Sequence, residues 1–328
     1  MVTIKEIAKM ADVSRSTVSR VLNNSGYVSV ESRKRVEKVI EKTGYVPSEQ
    51  AKSLRTKRTK IIGVILPTIQ TETPSRIVTG LGKELSLHGY QILLANTNLD
   101  KEKEMEYFDL LKVRQVDGIV LIATNIKSEL INKIKETRIP FVMVGQEAEE
   151  ISHVTNNDYH AARDITRFLI EKGHDKIGFI GVDETDRAVG YWRKKGFLDE
   201  MAANGLKVEE SWVQQGIFDI DSGYESMRKI LMNSLQQPTA TFAVTDRLAI
   251  GAMSYLKQQQ KRIPEDMAIV GVGASEMSKY LEPPLTTIDY QNEKAGEKAA
   301  KQLIALINSE PVEEKIVIDY KLIIRDSV

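Results

Sequence analysis

The stretch VSRSTVSRVLNN, residues 13–24, sets Arg15, Ser16 and Arg20 among Val18, Val21 and Leu22. Guanidinium and hydroxyl groups hydrogen-bond readily to nucleobase edges, and a bidentate arginine–guanine pair is worth about 1–3 kcal/mol of discrimination. At helical spacing the three apolar residues make a buried stripe, leaving the cationic and hydroxyl side chains to face elsewhere. One short helix can thus both pack and touch a partner.

Positioning such a helix requires neighbours. Thr3-Ile4-Lys5-Glu6 reads as a capping box opening a helix with Ile7, Ala8 and Ala11 on its apolar face, ending near Met10 to Asp12. Ser14 then caps the helix carrying Arg15. Two short helices joined so tightly, the second with a polar and cationic first turn, form a helix-turn-helix whose second helix meets the major groove. A third helix is capped by Ser29, shows Val36, Val39 and Ile40 on its apolar face, and ends at Gly44 before Pro47.

Beyond Pro47, SEQAKSLRTKRTK offers Ser48 as a cap for one or two turns, too short to be stable alone. Leu54, set among Lys52, Arg55, Lys57 and Arg58, has two readings: a wedge ordered on DNA in the minor groove, or packing of a basic linker.

Charge is divided along the chain. The 328 residues balance 46 basic against 46 acidic side chains, yet residues 1–60 hold 14 basic and 6 acidic, and the remainder 32 and 40. A basic head on an acidic body suits a polyanion partner for the head; a solvated basic helix is the alternative. There is no cysteine, so disulfides and thiolate metal sites are excluded. No signal-like or membrane-spanning run is evident, and a soluble, cytoplasmic protein is expected.

From Lys60 the texture changes. IIGVIL (61–66), YQILLA (90–95), GIVLIA (118–123), FVMV (141–144), KIGFIG (176–181), TFAV (241–244) and MAIVGV (267–272) alternate with amphipathic segments of helical length. Continuous apolar strands separated by helices mark doubly wound parallel sheets, and about seven units imply two α/β lobes with a ligand cleft between them. The expected division is 1–46 for the head, 47–60 for a short helix and linker, and 61–328 for a ligand-binding core. Within the core, one lobe takes about 61–160 and 290–318, the other about 161–289 and 319–328.

Catalytic readings fail. GVGASE (271–276) begins like a dinucleotide fingerprint but has Glu276 where its last glycine belongs, which favours a strand-end turn. His88, His153, His160 and His174 are scattered, and two of them border Gly89 and Gly173 at helix ends. No phosphate loop, G-x-S-x-G or H-E-x-x-H occurs. Neither an enzyme nor a cofactor or metal is expected.

TIKEIAKMADVSRSTVSRVLNN, GYVPSEQAKSLRTKRTKIIGVILP, EKGHDKIGFIG, TDRLAIGAM and PPLTTIDY together resemble the LacI/GalR family of bacterial sugar-responsive transcription regulators over essentially the whole chain. The resemblance implies a homodimer on a pseudo-palindromic operator, a hinge helix within 47–60 in the minor groove, and over 61–328 a dimerisation core like that of periplasmic sugar-binding proteins. It places base reading on Arg15 and Ser16 with Arg20 one turn on, and makes Thr3, Ser14, Thr17 and Asn23 candidate phosphate contacts. The hinge wedge becomes Leu54, flanked by Ala51 and Lys52.

For the cleft, the resemblance implies an effector arginine at Arg193, which an exposed helix arginine would also satisfy, and a stacking aromatic at Phe218. Thr245 would face the ligand and Asp246 cap the next helix, both counting among the cleft residues. TETPSRI (71–77), with Thr71 and Thr73, aligns with a contact loop of the first lobe. Gly145 and Gly273 replace aspartates of sugar-binding relatives, which moves hydroxyl recognition to Gln146, Glu72, Ser275 or Asp158, or admits a bulkier ligand such as sucrose or another disaccharide. A small sugar or sugar phosphate is thus the expected effector. Two alternatives stand beside it: a catabolite-control regulator governed by a phosphorylated carrier protein, and a sugar-binding enzyme or transport receptor that acquired a basic head, which the absent catalytic and export motifs disfavour.

Overall fold

A computed structural model describes residues 2–45, 58–124 and 128–328. The chain divides at Thr59–Lys60 into two compact units. In the first, α1 (Ile4–Met10), α2 (Arg15–Leu22) and α3 (Val30–Thr43) enclose Ile7, Ala8, Ala11, Val18, Val21 and Val36. Leu22, Val39 and Ile40 are only partly buried against this core. Asp12 turns the chain between α1 and α2 at φ +51°, and Gly44 ends α3 at φ +61°. Asparagine, aspartate and glycine are the residues that tolerate that region.

The second unit carries two six-stranded sheets. In the first, the strand order is β11 (Lys315–Ile318), β5 (His153–Asn156), β4 (Phe141–Val144), β3 (Gly118–Ile122), β1 (Ile61–Leu66) and β2 (Gln91–Asn96), all parallel. The second runs β12 (Lys321–Ile323), β10 (Thr286–Asp289), β9 (Ala268–Val272), β8 (Ala240–Ala243), β6 (Ile177–Gly181) and β7 (Val213–Gln215), with only β12 antiparallel. The chain passes between the lobes after β5, after β10 and after β11.

Strand pleating sorts the first lobe's core onto two faces. Ile62, Val64 and Leu66 of β1 join Val120 and Ile122 in one layer with α4 (Glu72–Leu87) and α11 (Asn292–Ile307), while Ile65, Ile119 and Leu121 join the opposite layer with α5 (Lys101–Val113) and α6 (Ser128–Glu136). That double coverage is why these strands read as unbroken apolar runs. In the second lobe, α7 (Asp158–Glu171), α8 (Arg193–Ala203), α9 (Ile220–Asn233) and α10 (Asp246–Gln258) cover the sheet, and the Phe179 and Phe197 rings stack at 5.0 Å.

Helix pairs in both lobes cross at glycines. A Cβ at Gly80 would stand 1.9 Å from the Glu293 carbonyl oxygen, and one at Gly296 2.0 Å from that of Ile77. Gly251 and Gly223 play the same part where α9 meets α10, with Cβ positions 2.0 Å from Ile220 O and 2.3 Å from Leu248 O.

Seven strands were expected and twelve are present among the described residues. The five unanticipated ones, HVTN, VQQ, TTID, KIVI and KLI, are short or polar and lie toward the sheet edges or chain crossings. TETPSRI is also corrected: the segment is the first turns of α4 with Thr71 at the N-cap, not a loop. No described helix is long and apolar enough to cross a membrane.

Candidate functional site

On α2 the sequence separates its two tasks by face. Val18 and Val21 are buried, whereas Arg15, Ser16 and Arg20 are exposed and enter no ion pair among the described residues. Ser14 Oγ accepts from Thr17 N at 3.1 Å, capping the helix, and also lies 2.7 Å from Ser16 Oγ and 2.9 Å from Thr17 Oγ1. Thr3 N donates to Glu6 Oε2 at 2.8 Å and Thr3 Oγ1 accepts from Glu6 N at 3.3 Å, closing the capping box. Asn23 Nδ2 donates to the carbonyl oxygen of Ser19 at 2.5 Å. These hydroxyls and amides therefore fix the helix ends while remaining near the surface. Ala51, Lys52 and Leu54 lie outside the described residues.

Between the lobes of the second unit is a cleft of about 340 Å³ at the carboxyl ends of the strands. Thr71, Thr73, Gln146, Arg193, Phe218, Thr245, Asp246 and Ser275 all line it. Ligands in open α/β sheets bind at this end because the strand-to-helix turns diverge there.

Arg193 is not a surface helix arginine; its exposure is 6%. Its Nε donates to Asp158 Oδ1 at 2.7 Å, Nη1 donates to the Val244 carbonyl oxygen, and the guanidinium lies 5.0 Å from the Tyr290 ring centre. Burial alone would favour the neutral guanidine, but Tyr290, Asp158 and Asp186 hold it charged. Burial pushes Asp158 upward while Arg193 opposes it. A buried arginine held by a carboxylate and a carbonyl is a fixed fork.

The expected capping of α10 is corrected. Thr245 is its N-cap, accepting from Leu248 N at 3.3 Å, and Asp246 is the first helical residue. Asp246 is instead buried, accepting from Thr287 Oγ1 at 2.5 Å and Ser275 N at 2.6 Å. Threonine wins because a cap must be extended, and Thr245 has φ −141° and ψ 154°. Burial raises the Asp246 carboxyl, and its Thr287 and Ser275 donors oppose that rise.

Side-chain hydrogen bonds tie the lobes across the cleft. Gln146 Nε2 donates to Asp186 Oδ1 at 2.8 Å. Arg76 Nη2 donates to Ala274 O at 2.9 Å, Glu276 N donates to Glu72 Oε2 at 2.9 Å, and Arg247 Nη1 reaches Gln70 O at 3.5 Å. Asp186 also caps a π-helical turn, Arg187–Trp192, that delivers Ala188, Val189 and Arg193 to the cleft. Such turns recur at functional sites.

Sequence reasoning missed Asp186, Arg247, Tyr290 and Asn292, which all line the cleft. Tyr290 and Asn292 follow β10, whose TTID run contributes to the family resemblance but is too short and polar to read as a strand, so no strand end marked them. Arg247 stands beside the two residues that were singled out. Asp186 had only its place before a helix as a signal.

Residues 3–48 match the family model for bacterial regulatory proteins of the lacI family, and residues 166–328 match that of a periplasmic binding protein-like domain. The HTH-type transcriptional repressor PurR of Pasteurella multocida (strain Pm70) is 34% identical over 333 residues, covering 100% of this chain and 99% of that protein. A solved transcriptional regulator CelR–cellobiose complex is 29% identical with a TM-score of 0.76, covering both chains fully. The lac repressor dimer bound to operator and the anti-inducer ONPF, 23% identical, has the same fold at a TM-score of 0.88, covering 99% of this chain and 98% of that one.

Proposed function

Since the chain belongs to the lacI family of bacterial regulatory proteins, we propose that it is a cytoplasmic, sequence-specific DNA-binding repressor, acting as a homodimer whose operator affinity is set by a small molecule in the interlobe cleft. The observation that carries this reading is the exposed polar face of α2, with Arg15, Ser16 and Arg20 outside the core that Val18 and Val21 complete. Arg15 is assigned to a guanine edge and Ser16 to a permissive neighbour, with Arg20 behind them. Thr3, Ser14, Thr17 and Asn23 take phosphates, which set register without reading sequence.

The effector assigned to the cleft is a sugar, in particular a disaccharide. Support comes from the polar groups at the strand ends, from Gly145 and Gly273 lining the cleft without side chains, and from the cellobiose-bound relative. Effector and operator then act through one conformational equilibrium of the lobes, so a ligand that prefers the DNA-free form must bind less tightly when DNA is bound. A band-shift titration on the cognate operator tests this: a sucrose- or cellobiose-dependent change in affinity is expected. Calorimetry in which a monosaccharide or a purine binds and neither disaccharide does would refute the disaccharide assignment.

A further inference from the structure

Asn292, the first residue of α11, is 2% exposed and lines the cleft from the first lobe. Both of its amide atoms, Oδ1 and Nδ2, are buried without a hydrogen-bond partner. Arg247, near the start of α10, lines the cleft from the second lobe, and its Nε is also buried without a partner. Buried polar groups are normally paired, and an orphan is costly enough to call for a partner that arrives from outside. One orphan would be an isolated feature. Two on opposite walls of one cleft, which between them offer two donors and an acceptor, describe the complement of a ligand.

Charge narrows the class. Arg193 is committed to Asp158 at 2.7 Å and Glu72 to Arg76 at 2.9 Å, which leaves Asp186 and Asp246 on the cleft wall against Arg247. Carboxylates thus outnumber the available cations, which disfavours a phosphorylated or carboxylated ligand.

We infer that Asn292 and Arg247 select the effector, Asn292 pairing through both amide atoms with an uncharged group that presents an adjacent donor and acceptor, and Arg247 donating from Nε to a second acceptor on the same molecule. This rests on the cleft being the effector site. Two sources supply that chemistry, the neighbouring hydroxyls of an uncharged sugar and the lactam edge of an oxopurine.

The test uses the full-length protein, thermal-shift screening and calorimetry without DNA, with cellobiose, sucrose, hypoxanthine and glucose 6-phosphate as probes. One of the three neutral probes is expected to bind and raise the melting midpoint. Asn292→Leu, similar in volume, is expected to weaken that probe about tenfold or more while raising the unligated midpoint, because the unpaired amide is gone. Arg247→Lys keeps the charge but loses the Nε donor, and is expected to weaken the same probe about fivefold, which decides the matter should Asn292→Leu fail to fold. Unchanged affinity in both variants, binding of glucose 6-phosphate alone, or no binding of any neutral probe each overturns the inference. Hypoxanthine bound in an Asn292-dependent way sustains the pairing and removes the disaccharide assignment. Likewise, a neutral probe lost in Asn292→Leu that leaves the wild-type operator band shift unmoved sustains the pairing while counting against ligand control of DNA binding.

Discussion

The Gln146 carboxamide of the first lobe donates to Asp186 Oδ1 of the second at 2.8 Å, and both residues are buried. The same carboxylate oxygen accepts from Val189 N at 3.0 Å, so two donors from different lobes converge on one atom. Gln146→Leu removes the one that depends on lobe closure. A hydrogen bond to a buried charged group contributes about 1.5–3 kcal/mol. Loss of stability within that range is expected in urea unfolding of the unligated protein, and a variant as stable as wild type would show the bond to be dispensable.

Asp186 also gives a pH dependence with a definite sign. Burial raises its carboxyl above the ordinary 3.8, with the Val189 N–H and then Gln146 opposing the rise. The native state therefore holds a proton at pH values where the unfolded chain has released it, so stability falls as pH rises from 3.8 through the native value. Asp186→Asn should flatten that part of the stability profile, and Gln146→Leu should extend it to higher pH. Denaturant midpoints measured across acidic pH report the difference; parallel profiles for wild type and Asp186→Asn would contradict the shift.

What the sequence made legible follows from how strongly each feature is written in side-chain chemistry. The head was readable almost residue by residue, since Thr3, Ser14, Ser29 and Gly44 are each of a type that a helix end requires. Central strands such as IIGVIL were readable because both faces are buried. Edge strands such as KIVI, with two exposed residues, carry no such run. In the cleft, residue types alone could not show that Thr245 rather than Asp246 caps α10, because both are good caps and only the backbone decides. Asn292 was illegible for a related reason: its distinction is the absence of a partner, which only three-dimensional packing reveals.

Arg15 and Lys52 are expected to separate base reading from backbone attraction. Arg15→Ala should relax preference at one base pair, at a cost of about 1–3 kcal/mol on the cognate site. Lys52→Ala should weaken cognate and random DNA alike and lower the salt slope by about one. Competition binding at several salt concentrations distinguishes them, and equal effects of both variants on cognate and random DNA would contradict the assigned roles.

Two glycines on α4 should respond oppositely to the same change. At Gly80 an added Cβ would meet the Glu293 carbonyl oxygen at 1.9 Å, whereas at Gly82 it would touch only Ile92 Cδ1 at 3.8 Å. Gly82→Ala should stabilise by up to about 1 kcal/mol through helix propensity alone. Gly80→Ala must push α11 away from α4, at a cost of about 1–3 kcal/mol or more, as for overpacked interiors. Thermal unfolding of the two variants checks the sign of each.

Glu72 and Arg76, one turn apart on α4, grip the 273–276 loop of the other lobe as a pair. Arg76 Nη2 is shared between Glu72 Oε2 and Ala274 O, both at 2.9 Å, while both Glu72 oxygens accept from Glu276 N at 2.9–3.0 Å. Each group thus positions the other, and removing either loosens both contacts. Glu72→Gln retains an acceptor but loses the charge that holds Arg76, so its effect should be smaller than that of Arg76→Ala. Because these contacts exist only with the lobes together, their loss shifts the equilibrium toward the open cleft rather than unfolding either lobe. Expected outcomes for Arg76→Ala are a larger radius of gyration in solution scattering and a several-fold weaker grip on any cleft ligand, with about 1–2 kcal/mol lost from closure. Scattering profiles that superpose for wild type and Arg76→Ala, with ligand affinity unchanged, would mean that the lobes are held by the remaining contacts alone.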